Sequence, residues 1–569
     1  MWILRRSAPR SGRVRWAVVR TVIALVLAAG TALAISPALT AAPSPDATPG
    51  VTLSPAPSPS VTTAPTPSAT PAPSPGPTAA PSPSAAPSAK PSATPSPTPT
   101  VTPSPPATEV IPPAITQSSV SAGSLVAAII VLAASGAVLF ALIRRGRNTP
   151  PPALFLHPHA ADLTLEEGFA TLEVVGEAMI DAGYSVNTVQ ESLEQIARVN
   201  GQPRTEVVVM PTALFVSSRD HADVRTGVVS SGRSPLLLHQ VDTLDRVVVQ
   251  ARMGQLSALE ARDRVLEMRE AEPPFSTAVR VLAAAIVSAA LAVILGGSLA
   301  SMVLAAVLGA GVGLAVIASA SLRPTLQPLV IVGVAFVSAV VVFLVARSGL
   351  DLVALPSLIA PLVMLLPGVL LTTGVVELAT GQMMSGAGRL AAGFMRLVLL
   401  AGGIVAGASL VGVPEITLSE GQYRLGILAP WIAVAFFGVA VVINRGGRLR
   451  FVPWIVLVLY VAYSAQVIGS LFFEGPVAAF IGACAMTPVA ILISRFTRAP
   501  ASSVSFLPAF WLLVPGGLGL VGVTAVLEGG SNGLATITLT VATMVAIALG
   551  ILTGSALRIG PRSGPKVLI

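Results

Sequence analysis

The chain has few of the residues that soluble enzymes and metalloproteins use for chemistry. Its 569 residues include one cysteine, Cys484, and four histidines. A single cysteine excludes an intramolecular disulfide and a cysteine-based metal site. Among the histidines only His157 and His159 show close spacing, and they follow a proline-rich stretch. We therefore predict no metal site and no cofactor.

Motifs for nucleotide binding and hydrolysis are missing as well. The sequence contains no Walker A motif, which argues against ATP-driven chemistry on this chain. Ser217, Ser218, His221 and Asp223 lie close together, but there is no Gly-x-Ser-x-Gly elbow, and sequence proximity does not make triad geometry. We expect no catalytic residues and no enzymatic activity.

Charge is scarce and hydrophobicity is high. Charged residues make up 11% of the chain, hydrophobic residues 53%, and the mean hydropathy is +0.80. This composition is typical of an integral membrane protein whose partner is the lipid bilayer. The net charge of +8 does not indicate a nucleic-acid partner, because the basic residues cluster at the ends of apolar segments.

The N-terminal quarter divides by composition. Residues 1–35 contain an arginine-rich start and an apolar run, which predicts a membrane anchor or a signal peptide cleaved after Ala34. Residues 36–121 are rich in Pro, Ser and Thr and cannot bury a core, so they predict a disordered extracytoplasmic spacer. Residues 122–147 predict a transmembrane span that ends in an arginine cluster on the cytoplasmic side.

Residues 150–275 form the one segment that predicts a soluble domain. Apolar residues recur at helical spacing and then give way to a β-branched run, so we predict a mixed α/β cytoplasmic domain. The predicted elements are a helix from Leu165, a helix opened by the capping box Thr188-x-x-Glu191, one or two strands over 205–218 broken at Pro211, and helices over 241–254 and 257–270, the last capped by Ser257-x-x-Glu260.

Apolar runs after this segment predict ten membrane spans. If the chain enters from the cytoplasm, all flanking basic residues except Arg347 and Arg424 fall inside, which predicts a multi-pass plasma-membrane protein with a cytoplasmic C-terminus. The predicted spans are 278–297, 299–321, 327–347, 353–376, 388–412, 425–443, 451–471, 475–494, 503–527 and 533–557.

Two phrases recur at nearly one offset. PLVMLLPGVL at 361–370 returns 148 positions later as AFWLLVPGGL, and GIVAGASL from Gly403 returns 147 positions later as GILTGSAL from Gly550. This duplication predicts two five-helix repeats, residues 278–412 and 425–557. Five is odd, so the second copy would enter the membrane from the opposite side, and the repeats would be inverted.

Each repeat places a Pro-Gly step within an apolar run. An unwound segment there frees carbonyls and amides to hold a zwitterionic solute, as in secondary transporters. The simpler alternative is a proline kink with no ligand. The predicted substrate-binding residues are Pro367, Gly368, Thr372, Thr373, Pro515, Gly516 and Gly517.

Glu377 is one of very few acidic residues within the apolar stretches of the ten-span region. A carboxylate inside a membrane is costly and points to proton or substrate handling, so Glu377 is the candidate for proton coupling. The alternative is an interfacial residue at a cytoplasmic helix end. Glycine pairs such as Gly403-x-x-x-Gly407 predict close helix packing.

Three features together resemble the threonine/serine exporter family. They are the phrase FATLEVVGEAMIDAGYSVNTVQESLEQIARVNG, the strand phrase VVVMPTALFVS, and the apolar core with its repeated LLPG and LVPG. The resemblance covers about residues 160–557. It implies a cytoplasmic domain followed by ten spans, and export of threonine, serine or related small solutes driven by the proton motive force.

The Pro/Ser-rich extension departs from the basic pattern of that family. The alternative function is a membrane-anchored envelope or signalling protein whose cytoplasmic domain binds a partner. Ten spans in two repeats are far more than anchoring needs. A homo-oligomer is compatible with the sequence.

Overall fold

A computed structural model shows a mostly helical protein. The predicted anchor or signal peptide and the Pro/Ser-rich spacer lie outside the residues that it describes. Those residues are 122–146, 165–220, 223–230, 235–348, 350–412, 425–473, 475–496, 498–513, 520–521, 524 and 533–557.

A small α/β unit, called the soluble unit below, precedes the membrane region. Its helices bury their apolar faces against one face of the sheet, around Leu172, Met179, Leu193 and Leu214. Alternation of buried and exposed residues along the first strand is what a sheet covered on one face requires. Its elements are α2 (Leu165–Asp181), α3 (Val186–Val199), β1 (Thr205–Met210), β2 (Ala213–Asp220), β3 (Asp223–Ser230), α4 (Leu238–Arg252) and α5 (Ala258–Glu270), after α1 (Ala122–Gly146).

The sheet has one more strand than the sequence indicated. β1, β2 and β3 form an antiparallel meander in that order, and the break at Pro211 is the turn between the first two strands. β3 was missed because its sequence, DVRTGVVS, is half polar and carries little apolar alternation.

Of the two capping boxes predicted in this unit, one is present and the other is not. The capping box at Ser257 is confirmed, since Glu260 N–H donates to Ser257 Oγ at 3.3 Å and Ser257 N–H donates to Glu260 Oε2 at 3.0 Å. The box predicted at Thr188 is wrong. α3 begins at Val186 with Ser185 as the N-cap residue, and Thr188 lies inside its first turn.

The membrane region consists of long apolar helices. Within the described residues, seven helices are long and apolar enough to cross a membrane, or eight if one bent pair is a single span. The ten-span prediction therefore stays a prediction. The helices are α6 (Thr277–Ile294), α7 (Leu299–Ser319), α8 (Gln327–Arg347), α9 (Ala354–Leu362), α10 (Gly368–Ala379), α11 (Met383–Val411), α12 (Ala429–Asn444), α13 (Val452–Phe472), α14 (Pro476–Ser494), α15 (Ser502–Leu512) and α16 (Gly533–Ala556).

Glycine pairs bring helices into close contact at equivalent places in both halves. A Cβ at Gly403 of α11 would lie 2.5 Å from the Val332 carbonyl oxygen of α8, and a Cβ at Gly550 of α16 would lie 2.6 Å from the Phe480 carbonyl oxygen of α14. Gly407 and Gly554, one turn later, touch the same partner helices. Only glycine permits this approach, so the predicted packing role of these residues is confirmed.

Chain direction is opposite in α6 and α12. Arg280, in the first turn of α6, donates from Nε to the carbonyl oxygen of Asn444, the last residue of α12, at 3.2 Å. Asn444 Nδ2 donates in return to the Arg280 carbonyl oxygen at 3.0 Å. The start of one helix therefore meets the end of the other, and the two packed helices are antiparallel.

Candidate functional site

A break interrupts the apolar run between α9 and α10. A short 3-10 turn over Val363–Leu365 ends α9, and α10 begins at Gly368 at an angle of 65° to it. Pro367 stands at the N-cap and has no N–H with which to continue the first helix. The first N–H groups of α10 therefore have no partner within the helix and lie at the positive end of its dipole. The predicted break is confirmed.

The hydroxyl group of Thr372 is buried next to this break without a partner. Thr372 is 2% exposed, and its Oγ1 has no hydrogen-bond partner among the described residues. Thr487 and Thr540 of the membrane helices instead donate to a carbonyl one turn earlier in their own helix. Ser464 and Ser505 share the unpaired state of Thr372 within the described residues, but they do not follow this break. An unpaired buried hydroxyl is unfavourable, so Thr372 is suited to hydrogen-bond a ligand. Thr373 is equally buried.

Glu377 lies nearly at the end of α10 and is not free. Its Oε2 lies 3.1 Å from Arg389 Nε and accepts a hydrogen bond from Ser385 Oγ at 2.6 Å. Its Oε1 accepts from the backbone N–H of Val186 at 3.1 Å. The Glu377 carboxylate, 1% exposed, thus pairs with an arginine of α11 and caps the start of α3 in the soluble unit.

Further contacts around Glu377 attach the soluble unit to the same turn. Arg389 Nη2 donates to the Tyr184 carbonyl oxygen at 3.0 Å. Gln382 Nε2 donates to Asn187 Oδ1 at 2.5 Å, and Asn187 Nδ2 donates to Thr380 Oγ1 at 3.3 Å. We call this set the Glu377 clamp; it joins the start of α3 to the turn between α10 and α11.

A second attachment is centred on Asp242 of α4. Its side chain, 1% exposed, pairs with Arg246 at 3.2 Å and with Arg450 at 3.4 Å. Asp242 Oδ1 also accepts from the backbone N–H of Ala501 at 3.0 Å, and Arg246 donates to the Ala499 carbonyl oxygen at 2.8 Å. This Asp242 clamp joins α4 to the segments before α13 and α15.

Tyr184 and Asp245 are paired within the soluble unit beside both clamps. Tyr184 Oη donates to Asp245 Oδ1 at 2.9 Å. Burial, reinforced by the negative charge of Asp242, raises the pKa of Asp245 to about 6 against the lowering effects of Tyr184, Arg246 and Arg252. Burial also raises the pKa of Tyr184. Asp245 is therefore a buried carboxyl whose pKa is raised to about 6 beside the contacts between the soluble unit and the membrane region.

The described residues include part of the predicted substrate-binding site. Pro367 and Gly368 lie at one break, and Thr372 and Thr373 follow it in the next turn of α10. Glu377 lies about two and a half turns beyond Gly368. The second predicted break lies outside the described residues. α15 ends at Leu512, shortly before it. The residues concerned are Pro515, Gly516 and Gly517.

Sequence reasoning missed the clamp residues of the soluble unit. Asp242 and Tyr184 carry no motif, and the partner atoms of Asp242 at Ala501 lie 259 positions away. Arg389 was noted only as a cytoplasmic charge. Its spacing of twelve residues from Glu377 across a glycine turn was the one available signal of a pair.

Comparison with known protein families gives a match to part of the chain. A family model described as "Putative threonine/serine exporter" matches residues 171–411, the segment from α2 through α11. The resemblance to this family is thereby confirmed over that segment. No curated protein and no solved structure matches the chain.

Proposed function

We propose that the protein is a secondary transporter that exports threonine, serine or related small solutes, driven by the proton motive force. The observation that carries this proposal is the buried break at Pro367 and Gly368, which lies inside the family-matched residues next to the unpaired Thr372 hydroxyl. Backbone groups freed at such a break can hold the charged ends of an amino acid, and a hydroxyl can bind its side chain.

Two inverted five-helix repeats, residues 278–412 and 425–557, form the transport core in this proposal. The antiparallel packing of α6 against α12, the first helix of each repeat, supports inversion. The glycine contacts of α11 on α8 and of α16 on α14 support duplication, because Val332 and Phe480 stand 148 positions apart. Inverted repeats allow alternating access about a central site.

The soluble unit acts as a cytoplasmic gate in this scheme. Both clamps attach it to segments that the predicted topology places at the cytoplasmic ends of the spans: the turn between α10 and α11, and the segments before α13 and α15. With those attachments made, the soluble unit covers the inner side of the core. Solute would reach the break from the cytoplasm after the clamps loosen.

Glu377 couples protons to this gate. Ionised, its carboxylate pairs with Arg389 and accepts the N–H of Val186. A proton on Glu377 would remove the charge that holds Arg389 and weaken the cap on α3, so protonation would favour release of the soluble unit. Proton binding and opening of the inner side would then be one event.

Accumulation of threonine in cells tests the proposed function. Cells that lack the gene and are fed a threonine-containing dipeptide should retain more threonine than the parent. The full chain should restore export, and Thr372→Val, which keeps the shape and removes the hydroxyl, should restore it poorly. Thr540→Val is the matched control, since the Thr540 hydroxyl is bound within its own helix. Equal retention in deletion and parent strains would contradict threonine export.

A further inference from the structure

Arg445, which follows the last residue of α12, has no anionic partner among the described residues. Its guanidinium makes no hydrogen bond or ion pair with any residue that the structure describes. The charged group that acts on it is Arg280, which has the same sign. Arg445 is half-buried, so its charge is partly removed from water without a counter-charge, and a second guanidinium adds repulsion.

The position of Arg445 is fixed by its surroundings. Its carbonyl oxygen accepts from Leu238 N–H of α4 at 2.9 Å. Its guanidinium carbon lies 4.8 Å from the centre of the Trp511 ring in the last turn of α15. Arg280 belongs to α6. Trp511 and Arg280, from the two proposed repeats, thus lie near this guanidinium, and the soluble unit holds the backbone of Arg445.

The turn that follows α12 does not need an arginine. α6 ends in the same way: Leu295 and Arg445 are both C-cap residues, and each is followed by a glycine of positive φ, Gly296 or Gly446. Gly297 N–H donates to the Ala292 carbonyl and Gly447 N–H donates to the Val442 carbonyl. A leucine satisfies the first copy of this turn, so the charge of Arg445 needs another reason.

A general role in membrane orientation does not supply that reason. The same segment carries Arg448 and Arg450, which are exposed, and Arg450 is paired with Asp242. These two residues provide the positive charge expected at a cytoplasmic helix end. Arg445 instead lies over Trp511, where a cation–π contact orients the guanidinium plane and leaves its N–H groups free.

We propose that Arg445, assisted by Arg280 and oriented by Trp511, is a docking site for the carboxylate of the transported solute on its way from the cytoplasm to the break. This inference rests on the proposed function. A guanidinium binds a carboxylate through two parallel N–H···O bonds, which a lysine ammonium cannot reproduce. The ligand class is small carboxylates that carry an α-amino or α-hydroxyl group.

Transport and binding by the full chain test the proposal. In neutral-lipid proteoliposomes, Arg445→Gln should raise the half-saturating threonine concentration on the cytoplasmic side about tenfold or more, and Arg445→Lys should have an intermediate effect. Arg448→Gln, three residues along, is the matched control and should resemble the parent. With the purified parent, threonine should raise the unfolding midpoint and threoninol, which lacks the carboxylate, should not. Arg445→Gln should abolish the difference.

Two outcomes would overturn this site while leaving threonine export intact. One is equal half-saturation in Arg445→Gln and Arg448→Gln. The other is an Arg445 effect seen only with anionic lipid, which would assign the site to a lipid phosphate. If the parent exports no threonine, the proposed function fails separately. Unfolding midpoints with lactate, malate and threonine then decide between the two outcomes. An Arg445-dependent rise with any of them supports a carboxylate site, and no rise with any of them rejects the site.

Discussion

The start of α9 and the start of α15 make similar contacts, but the partners come from different parts of the chain. At the start of α9, Val353 N–H donates to Ser301 Oγ at 2.9 Å, and the Asp351 carbonyl accepts from Ser298 Oγ at 2.5 Å. Both serines lie at the start of α7, so hydroxyls of the membrane region itself satisfy these backbone groups.

The corresponding atoms 148 positions later, before α15, bind the soluble unit. Ala501 N–H donates to Asp242, and the Ala499 carbonyl accepts from Arg246. Ser301 lies four residues after the Gly296-Gly297 turn, and Phe451 lies four residues after the Gly446-Gly447 turn. The phenyl side chain of Phe451 cannot accept a hydrogen bond as the Ser301 hydroxyl does. The soluble unit therefore supplies at the start of α15 the contacts that α7 supplies at the start of α9. This difference agrees with the gating role that we propose for the soluble unit.

The largest effect is expected at the Glu377 clamp. Glu377→Gln leaves Arg389 buried without a charge partner, which should destabilise the folded chain by about 3 kcal/mol and release the soluble unit. The double variant Glu377→Gln/Arg389→Gln removes both charges and should recover much of that stability. Unfolding in detergent measures both variants, with Glu206→Gln, on the exposed strand edge, as control.

The same pair of variants separates attachment of the soluble unit from proton coupling. If Glu377 carries the proton, the double variant should remain unable to export against a gradient although it is stable. Uphill export by the double variant would reduce Glu377 to a structural cap.

Asp242→Asn should have a smaller effect, about 1–2 kcal/mol, because Arg246 and Arg450 reach water once their partner loses its charge. Hydrogen exchange should become faster at the Ala501 amide and the start of α15, whereas the start of α9 should not change. Asp263→Asn, an exposed substitution on α5, serves as control. Unchanged exchange at Ala501 would show that Asp242 does not hold this end.

Asp245 should make stability depend on pH. Its pKa is raised from 3.8 to about 6, so between these values the folded chain binds more protons than the unfolded chain. Stability should then fall as pH rises from about 4 to about 6, by on the order of 2 kcal/mol. Asp245→Asn should remove that part of the pH dependence. Identical pH profiles of the unfolding midpoint in the two proteins would contradict the assignment.

The smallest effect is expected at the start of α9. Ser301→Ala removes the acceptor of Val353 N–H and should destabilise the chain by about 1 kcal/mol without changing attachment of the soluble unit. Ser321→Ala, whose exposed hydroxyl is bound locally, should be neutral. Faster hydrogen exchange at Ala501 in Ser301→Ala would mean that the start of α9 and the start of α15 are not independent.

Local features of this fold could be predicted from the sequence, whereas the contacts between the soluble unit and the membrane region could not. The break at Pro367 was predictable because proline lacks an N–H, and the helices were predictable because a bilayer demands long apolar runs. The start of α3 was misplaced because Glu377, distant in sequence, supplies the cap that Thr188 was expected to supply. The clamps depend on pairs such as Asp242 and Ala501, which only tertiary structure brings together.

Cross-linking of the soluble unit to the core tests the gate most directly. Asn187 and Thr380 are hydrogen-bonded at 3.3 Å and lie beside the Glu377–Arg389 pair without taking part in it. Cysteines at both positions, with Cys484→Ser, allow one defined cross-link, and each single cysteine is a control. We predict that cross-linking stops threonine export and that a reductant restores it. Export at the parent rate by fully cross-linked protein would contradict a gating role.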